Sequence, residues 1–332
     1  IIPFSTVSVE VVDEMHVAVL GTPFGMKLYT EGVLVIDITD VESENGKTSP
    51  GEAAGIKKGD YIISAEGKNI HTNEELSAAV EASGGNRIKL LIKRNGKKKT
   101  VYITPVTSKE TGSLKIGLWV RDSSAGIGTM TFYSPYTGVV CGLGHGVCDE
   151  DTGELLSLET GELVTAEIIS LEKGASGAPG QLKGKFTGNS IGAIDKNCEN
   201  GVYSILKGKI NPSNLTEIAL KQEIKDGAAQ ILCTLEGNTP KLYECKIKKR
   251  SSAYLSSSQH LTVTVTDKEL LEKTGGIVQG MSGSPIIQNG KLVGAVTHVL
   301  IDDPTSGYGI FAENMLKEAQ TAAEANKLKN AS

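Results

Sequence analysis

A serine in a glycine-rich setting near the end of the chain is the side chain best suited to covalent chemistry. Ser282 lies in the run GMSGSP at 280–285, where small residues let a substrate carbonyl approach the hydroxyl closely. The backbone N–H groups of Gly280 and Ser282 would stabilise the negative charge that develops on that carbonyl oxygen. A serine in a glycine-rich turn is often incidental. Here an apolar run, the turn at 289–290 and a second run ending in GAVTH at 294–298 follow, and this strand–turn–strand context favours a nucleophile.

Such a serine requires a base within hydrogen-bond reach, and the chain contains five histidines. His145 follows an apolar run inside GLGHG at 142–146, so open backbone surrounds its ring, and we predict it to be the base. His298 ends the hairpin after the serine and is the competing candidate. The other three fit less well, because two fall in the N-terminal third and one lies at a predicted strand entry: His16, His71 and His260.

A carboxylate commonly orients the base in a serine nucleophile system. Four aspartates are candidates for this role: Asp149, Asp195, Asp226 and Asp267. Asp267 follows the alternating run LTVTVT at 261–266 and lies fifteen positions before Ser282. The spacing alone leaves the choice among the four open.

The composition excludes several classes of function. The 332 residues carry a formal net charge of −5, which argues against general nucleic-acid binding, because phosphate contacts need a basic face. The five cysteines form no CxxC pair, and although Cys141 and Cys148 bracket His145, no second pair supplies further ligands. We therefore predict neither a metal nor another cofactor. No stretch approaches the ~20 apolar residues of a membrane-spanning helix.

Two regions with different patterns divide the chain. From residue 110 to 332, short apolar runs alternate with glycine-containing turns, which favours an all-β barrel or a pair of barrels. The stretch 312–329 is rich in Ala, Lys and Glu and predicts a closing helix. Residues 15–106 contain strand-like runs and one helix, and residues 1–14 precede them as a separate segment.

The region 15–106 resembles a PDZ domain. The resemblance rests on the hydrophobic–Gly–hydrophobic triplet Phe24, Gly25 and Met26, on SPGEAAGI at 49–56 and on GDYIISAEG at 59–67. It implies that the triplet borders a groove in which an extended peptide adds as a strand. The peptide would be either the protein's own N-terminal segment or the end of a partner. The alternative is a domain that acts as a spacer, with its groove occluded.

Over nearly its whole length the chain resembles the stage IV sporulation protein B peptidases of endospore-forming bacteria. The matching segments are LGHG at 143–146, VTD at 265–267, TGGIVQGMSGSP at 274–285 and DDPT at 302–305. The resemblance implies a mainly β protein, in which a PDZ domain precedes a chymotrypsin-like double β-barrel with a C-terminal helix. It also implies a serine peptidase with Ser282 as nucleophile, His145 as general base and Asp267 as the acidic residue, which either orients His145 or supports the active-site loop.

The chymotrypsin-like pattern adds two expectations about the substrate. Residues Thr297, His298 and Val299 fall where such enzymes pair a strand with the substrate backbone. Gly276, six residues before the serine, falls at the floor of the primary specificity pocket. Because this residue carries no charge, we expect a small or apolar residue at the cleavage site.

The same resemblance implies a location and a role. Such peptidases are secreted from the forespore, through an N-terminal signal or anchor that this sequence lacks, into the space between the two surrounding membranes. There they cleave themselves and the extracytoplasmic part of a membrane-bound inhibitor, which activates intramembrane processing of pro-sigma-K. Two alternatives remain open: an HtrA-like quality-control serine peptidase, and a PDZ adaptor whose barrel has lost activity.

Overall fold

The computed structural model describes residues 15–208, 212–251 and 255–331. The N-terminal segment 1–14, one of the two occupants expected for the PDZ groove, lies outside the described residues. Within the described ranges, none of the helices has the length and apolar character needed to cross a membrane.

Strands dominate the described part of the chain. The strands are β1 (His16–Val19), β2 (Pro23–Ile38), β3 (Val41–Ser43), β4 (Gly46–Thr48), β5 (Tyr61–Ala65), β6 (Lys68–Asn69), β7 (Ile88–Arg94), β8 (Lys97–Ile103), β9 (Val106–Thr107), β10 (Leu114–Lys115), β11 (Leu118–Ser134), β12 (Val139–Gly142), β13 (Leu158–Glu172), β14 (Gln181–Cys198), β15 (Gly201–Leu206), β16 (Thr216–Glu217), β17 (Gly227–Cys233), β18 (Lys241–Lys249), β19 (Leu261–Val265), β20 (Pro285–Gln288), β21 (Lys291–Val299) and β22 (Ser306–Phe311). The helices are α1 (Pro50–Ala53), α2 (Asn73–Ala82), α3 (Lys268–Thr274) and α4 (Ala312–Ala331).

A ring of six antiparallel strands forms the first barrel. Strands β2, β11, β12, β15, β14 and β13 follow one another in this ring, and β13 pairs back to β2. The first half of β2 lies between β11 and β13, with Gly25 opposite Ile127 on one side and Val164 on the other. Residues that the sequence assigned to the PDZ region therefore complete the wall of the first barrel.

The prediction that Phe24, Gly25 and Met26 border a peptide groove is wrong. Phe24 and Met26 are 1% and 4% exposed and pack in the core of the first barrel. Gly25 is paired on both edges, and a Cβ there would collide with the side chains of Phe186 and Val164. A hydrophobic–Gly–hydrophobic triplet suits a tightly packed barrel strand as well as a PDZ loop, so the local pattern did not distinguish the two.

The second half of β2 belongs to the PDZ core. There β2 pairs with β5, and the sheet continues through β7 to β8. Helix α2 packs on this core and buries Leu76 and Val80. A capping box fixes its start, because Thr72 and Glu75 each accept a hydrogen bond from the other's backbone N–H. A single strand of 16 residues is thus shared between the PDZ core and the first barrel.

The second barrel is closed by β17, β18, β19, β22, β21 and β20, in that order. The alternation of apolar and polar residues in the sequence matches the two faces of the barrel wall. In β19, Leu261, Val263 and Val265 are buried, whereas the intervening threonines are partly exposed. Helix α4 buries Met315 and Ala319 in a core cluster that draws residues from both barrels. The predicted fold class, mainly β with an N-terminal PDZ domain, a barrel peptidase domain and a C-terminal helix, is confirmed.

Candidate active site

Ser282 lies on a tight loop between α3 and β20, where the second barrel contacts β11 of the first. Gly280 and Gly283 have φ angles of +95° and +94°, a backbone conformation that residues with a Cβ rarely adopt. A side chain at position 283 would also collide with the carbonyl oxygen of Thr129 in β11. These two glycines therefore let the loop turn sharply and lie directly against the first barrel.

Some backbone N–H groups of this loop have a hydrogen-bond acceptor in the protein, and others do not. Those of Met281, Gly283 and Ser284 donate to backbone carbonyls at 3.1, 2.7 and 2.9 Å. Those of Gly280 and Ser282 donate to no protein oxygen among the described residues. These two N–H groups beside the serine hydroxyl are free to bind an oxyanion, and their assignment to an oxyanion hole stays a prediction.

The hydroxyl of Ser282 is engaged by the backbone rather than by a base. Its Oγ donates a hydrogen bond of 2.7 Å to the carbonyl oxygen of Thr297. Within the described part of the chain, no hydrogen bond joins Ser282 to His145. The nucleophile is therefore at rest, and its hydroxyl must leave Thr297 before it can transfer its proton.

His145 follows two residues with positive φ, Leu143 at +64° and Gly144 at +70°, which turn the chain at the end of β12. The Nδ1 atom of His145 lies 2.8 Å from the carbonyl oxygen of Gly146. Because a carbonyl oxygen only accepts, we assign the proton to Nδ1 and the lone pair to Nε2. This is the tautomer that a general base needs, and a backbone carbonyl sets it in place of a carboxylate.

The rings of His145 and His298 lie against each other, with centroids 4.7 Å apart. Burial lowers the pKa of His145 below its usual 6.5, and the hydrogen bond to Gly146 offsets part of this effect. The pKa of His298 is lowered mainly by burial and to a smaller extent by repulsion from His145. Water reaches the exposed side of the His298 ring and weakens both effects. Both rings are therefore neutral at pH 7, and His145 is able to accept a proton.

Strand β21 brings the predicted nucleophile and base together, since Ser282 contacts Thr297 and His145 contacts the next residue, His298. Regular pairing of β21 with β22 is interrupted just before Val299. The assignment of Thr297, His298 and Val299 to binding of the substrate backbone stays a prediction.

Gly276 is buried, and a side chain there would collide with the carbonyl of Pro304. The same carbonyl accepts a hydrogen bond of 2.7 Å from the N–H of Ile277. The φ of Gly276 is +143°, a backbone conformation that also favours glycine at this position. The structure gives this position no room for a charge, and the preference for a small or apolar residue stays a prediction.

Asp267 has a structural role. It is the N-cap of α3, where one carboxylate oxygen accepts from the N–H of Leu270 at 3.0 Å and the other from the N–H of Glu244 at 3.2 Å. The Nδ1 of His145 meanwhile faces Gly146. The expectation that Asp267 orients the base is therefore wrong in this structure. Two other candidates are engaged elsewhere, Asp149 with Arg121 and Asp226 with the N–H of Lys249.

Sequence reasoning missed Thr129, a buried residue of β11 that contacts both catalytic loops. Its hydroxyl donates to the carbonyl of Gly280 at 2.8 Å, and its N–H donates to the carbonyl of Ser282 at 3.0 Å. Its own carbonyl accepts from the N–H of Leu143, two residues before His145. A threonine in a strand-like run gives no sign of such contacts, because its partners are distant in sequence.

Comparison with protein families gives two matches. Residues 112–316, more than half of the chain, match the SpoIVB peptidase S55 family, and residues 8–104 match the PDZ domain family. The first match includes both His145 and Ser282.

Individual proteins that are similar to this chain match it over only part of their own length. A putative zinc metalloprotease of Clostridium acetobutylicum is 33% identical over 101 residues, 30% of this chain and 28% of that protein. A putative zinc metalloprotease of Neisseria meningitidis is 34% identical over 101 residues, 29% of this chain and 23% of that protein. The chain thus covers 28% or less of the length of these relatives.

Two kinds of solved structure resemble parts of the chain at low identity. The PDZ domain of an SdrC-like protein from Listeria monocytogenes has 19% identity and a TM-score of 0.22, covering 27% of this chain and 87% of that one. The inactive form of the Rv3671c protease of M. tuberculosis has 14% identity and a TM-score of 0.30, covering 59% of this chain and 84% of that one.

Proposed function

Because the chain belongs to the SpoIVB peptidase S55 family and is a serine peptidase, we propose that it is a sporulation signalling endopeptidase that acts outside the cytoplasm. Its proposed substrate is the extracytoplasmic part of a membrane-bound inhibitor, whose cleavage activates intramembrane processing of pro-sigma-K. The proposal includes cleavage of its own chain. It is supported by the family match, which spans both catalytic loops.

The geometry of the two loops accounts for the chemistry of a serine peptidase. When a peptide carbonyl enters, Ser282 Oγ turns away from Thr297 and attacks the carbonyl carbon, while its proton passes to Nε2 of His145. The carbonyl oxygen becomes negative and accepts hydrogen bonds from the N–H groups of Gly280 and Ser282. His145 then gives the proton to the leaving amine, and water hydrolyses the acyl-enzyme by the same route.

The carbonyl of Gly146 keeps Nδ1 of His145 protonated throughout this cycle. It carries only a partial negative charge, so it stabilises the imidazolium less than a carboxylate would. We therefore expect slow turnover. Slow turnover suits an enzyme that cuts a few targets once, and it suits a digestive or quality-control peptidase poorly.

The proposal is tested by cleavage of a defined substrate. The purified chain is incubated with the extracytoplasmic domain of the membrane-bound inhibitor, the products are identified by mass spectrometry, and Ser282→Ala is the matched control. One dominant cut that depends on Ser282, together with a cut in the chain itself, is the expected result. An intact inhibitor domain beside many cuts in unfolded casein would instead favour the quality-control alternative.

Labelling of the same samples with a fluorophosphonate probe reports the chemistry separately. A chain that is labelled at Ser282 but leaves the inhibitor domain intact is a serine peptidase with another target.

A further inference from the structure

A short hairpin follows the predicted base along the chain. It consists of residues 147–156, begins two residues after His145, and is called the base hairpin below. At its open end the N–H of Leu156 donates to the carbonyl of Val147 at 3.0 Å. Nearer its tip the N–H of Asp149 donates to a carbonyl across the hairpin at 2.9 Å. The segment beyond the base is therefore an ordered element whose position bears on the base itself.

The base hairpin begins at the peptide group that sets the tautomer of His145. The carbonyl of Gly146, which accepts from Nδ1 of His145, shares one planar peptide group with the N–H of Val147. Asn197 of β14 contacts the same residue, since its side-chain amide accepts from the N–H of Val147 at 2.8 Å and donates to its carbonyl at 2.9 Å. Because the peptide group is rigid, a movement of the first strand of the base hairpin turns the Gly146 carbonyl relative to the imidazole.

The tip of the base hairpin contains a buried carboxylate. Oδ1 of Asp149 accepts from the N–H groups of Asp151 and Thr152 at 3.0 and 2.9 Å. Oδ2 of Asp149 accepts from Nη1 of Arg121, and Nη2 of Arg121 donates to Asp151 at 2.7 Å. The Asp149 side chain is completely buried, whereas Arg121 is partly exposed. A buried carboxylate requires such partners, so the course of the tip depends on the charge of Arg121.

Arg121 reaches the tip from the PDZ side of the molecule. It lies in β11 opposite Leu34, in the half of β2 that also pairs with β5. The residue after the base hairpin is held from the same side, because the N–H of Ser157 donates to the hydroxyl of Tyr61 at 3.1 Å and Nζ of Lys93 donates to the Ser157 hydroxyl at 3.0 Å. Elements that carry neither the predicted nucleophile nor the predicted base therefore fix the base hairpin at two points.

We propose that Arg121 is a positioning residue for the catalytic base. By neutralising Asp149 it holds the base hairpin in the course that directs the Gly146 carbonyl at Nδ1 of His145. Arg121 thus acts on proton transfer through the base hairpin. The inference goes beyond the proposed signalling role and does not depend on it. It rests on His145 as the base, which His145→Ala tests separately.

The kinetic test compares two arginines that each pair with a buried aspartate. Arg121→Gln leaves Asp149 buried without its counter-charge, so the tip shifts toward water and the base loses its alignment. We expect kcat on a small ester to fall about tenfold while KM changes less than about twofold. Arg94→Gln is the matched control, because Arg94 pairs with the similarly buried Asp60 inside the PDZ core. An equal fall in kcat in both variants would overturn the proposal, by assigning the effect to a general loss of stability.

The tautomer of His145 gives a readout that a merely structural role would not change. The full chain is labelled with ¹⁵N-histidine, and the ring nitrogen shifts are recorded at about pH 8, where the imidazole is neutral. We expect the proton on Nδ1 in the unmodified chain and in Arg94→Gln, and a mixture of both tautomers in Arg121→Gln. An unchanged tautomer in Arg121→Gln would overturn the proposal.

A double variant tests whether Arg121 acts through Asp149. Combining Arg121→Gln with Asp149→Asn replaces the ion pair by two neutral amides and removes the uncompensated charge. We expect this double variant to recover kcat to within about threefold of the unmodified chain, with His145 again protonated on Nδ1. A double variant as slow as Arg121→Gln alone would exclude Asp149 as the link and overturn the proposal.

Discussion

The loops that carry Ser282 and His145 are built in different ways. Three of the N–H groups of the Ser282 loop and two threonine hydroxyls of β11 form hydrogen bonds that fix its course. The ring of His145 is held by one contact with the neighbouring carbonyl and by its packing on His298. Among the described residues, no carboxylate contacts this imidazole.

This difference shows how catalysis is divided between the loops. The predicted oxyanion hole uses two backbone N–H groups of a loop that is already fixed by its neighbouring hydrogen bonds, so we expect it to contribute without rearrangement when substrate binds. The alignment of nucleophile and base has to be completed, because Ser282 is bonded to Thr297 in the resting structure. Substitutions in the first loop should therefore affect transition-state stabilisation, and substitutions in the second should affect proton transfer.

The largest effect is expected from removing either reacting side chain. Ser282→Ala or His145→Ala should lower kcat for peptide and ester substrates by ~10⁴-fold or more, with little change in Tm. His298→Ala should mainly weaken substrate binding, and steady-state kinetics on a small ester separates the two parameters. Near-normal turnover of His145→Ala beside an inactive His298→Ala would assign the base to His298 instead.

The support of the Ser282 loop is tested at Thr129. Thr129→Val removes the hydroxyl that holds the Gly280 carbonyl, so the neighbouring N–H groups lose part of their alignment. We expect kcat to fall about tenfold with KM nearly unchanged, since a displaced oxyanion donor costs less than a deleted one. Thr262→Val, in β19 of the second barrel, is the control. An equal fall in that control would mean that general destabilisation, rather than alignment, is responsible.

The base is tested by the pH dependence of kcat/KM. Only neutral His145 accepts a proton, and burial lowers its pKa, so activity should be lost as the pH falls through a midpoint below 6.5. His298→Gln removes the ring that covers one side of His145 and lets water approach it. The midpoint in this variant should move up, toward 6.5. A midpoint above 6.5 in the unmodified chain would contradict a partly buried base with a lowered pKa.

The smallest effect on catalysis is expected at Asp267, which lies outside both loops. Asp267→Ala removes the cap of α3 and should lower the free energy of unfolding by ~1 kcal/mol, measured by urea denaturation. Asp267→Asn keeps a capping oxygen and should retain kcat within about twofold. A loss of kcat by orders of magnitude in Asp267→Asn, with an unchanged Tm, would restore this carboxylate to the catalytic machinery.

The sequence predicts what depends on local pattern. The alternation of apolar residues identified the barrel strands, and the glycines around Ser282 identified a loop with positive φ beside a nucleophile. Asp267 followed by KELLEKT carries an N-cap signal that would have predicted its structural role. The role expected for Asp267 was instead taken from the family resemblance.

Partners that are distant in the chain could not be predicted in this way. Phe24 and Met26 have the residue types of a PDZ loop, and only their pairing with strands about 100 and about 140 residues later places them in a barrel. The hydrogen bond from the Thr129 hydroxyl to Gly280 likewise joins positions separated by 151 residues. The pairing register of strands that are so far apart in the chain depends on the whole sheet. It cannot be determined from a single sequence.

The long strand β2, shared by the PDZ core and the first barrel, determines how the chain can be cut. A fragment that begins at residue 110 would keep every catalytic residue but lose β2, which fills the gap between β11 and β13. The edges of β11 and β13 that pair with β2, at 118–129 and 158–165, would then be unpaired, and long bare edges of this kind drive aggregation. The peptidase region therefore cannot be excised at the boundary that the sequence indicates. A domain exchange at that point would have to carry residues 23–38 along with the peptidase region.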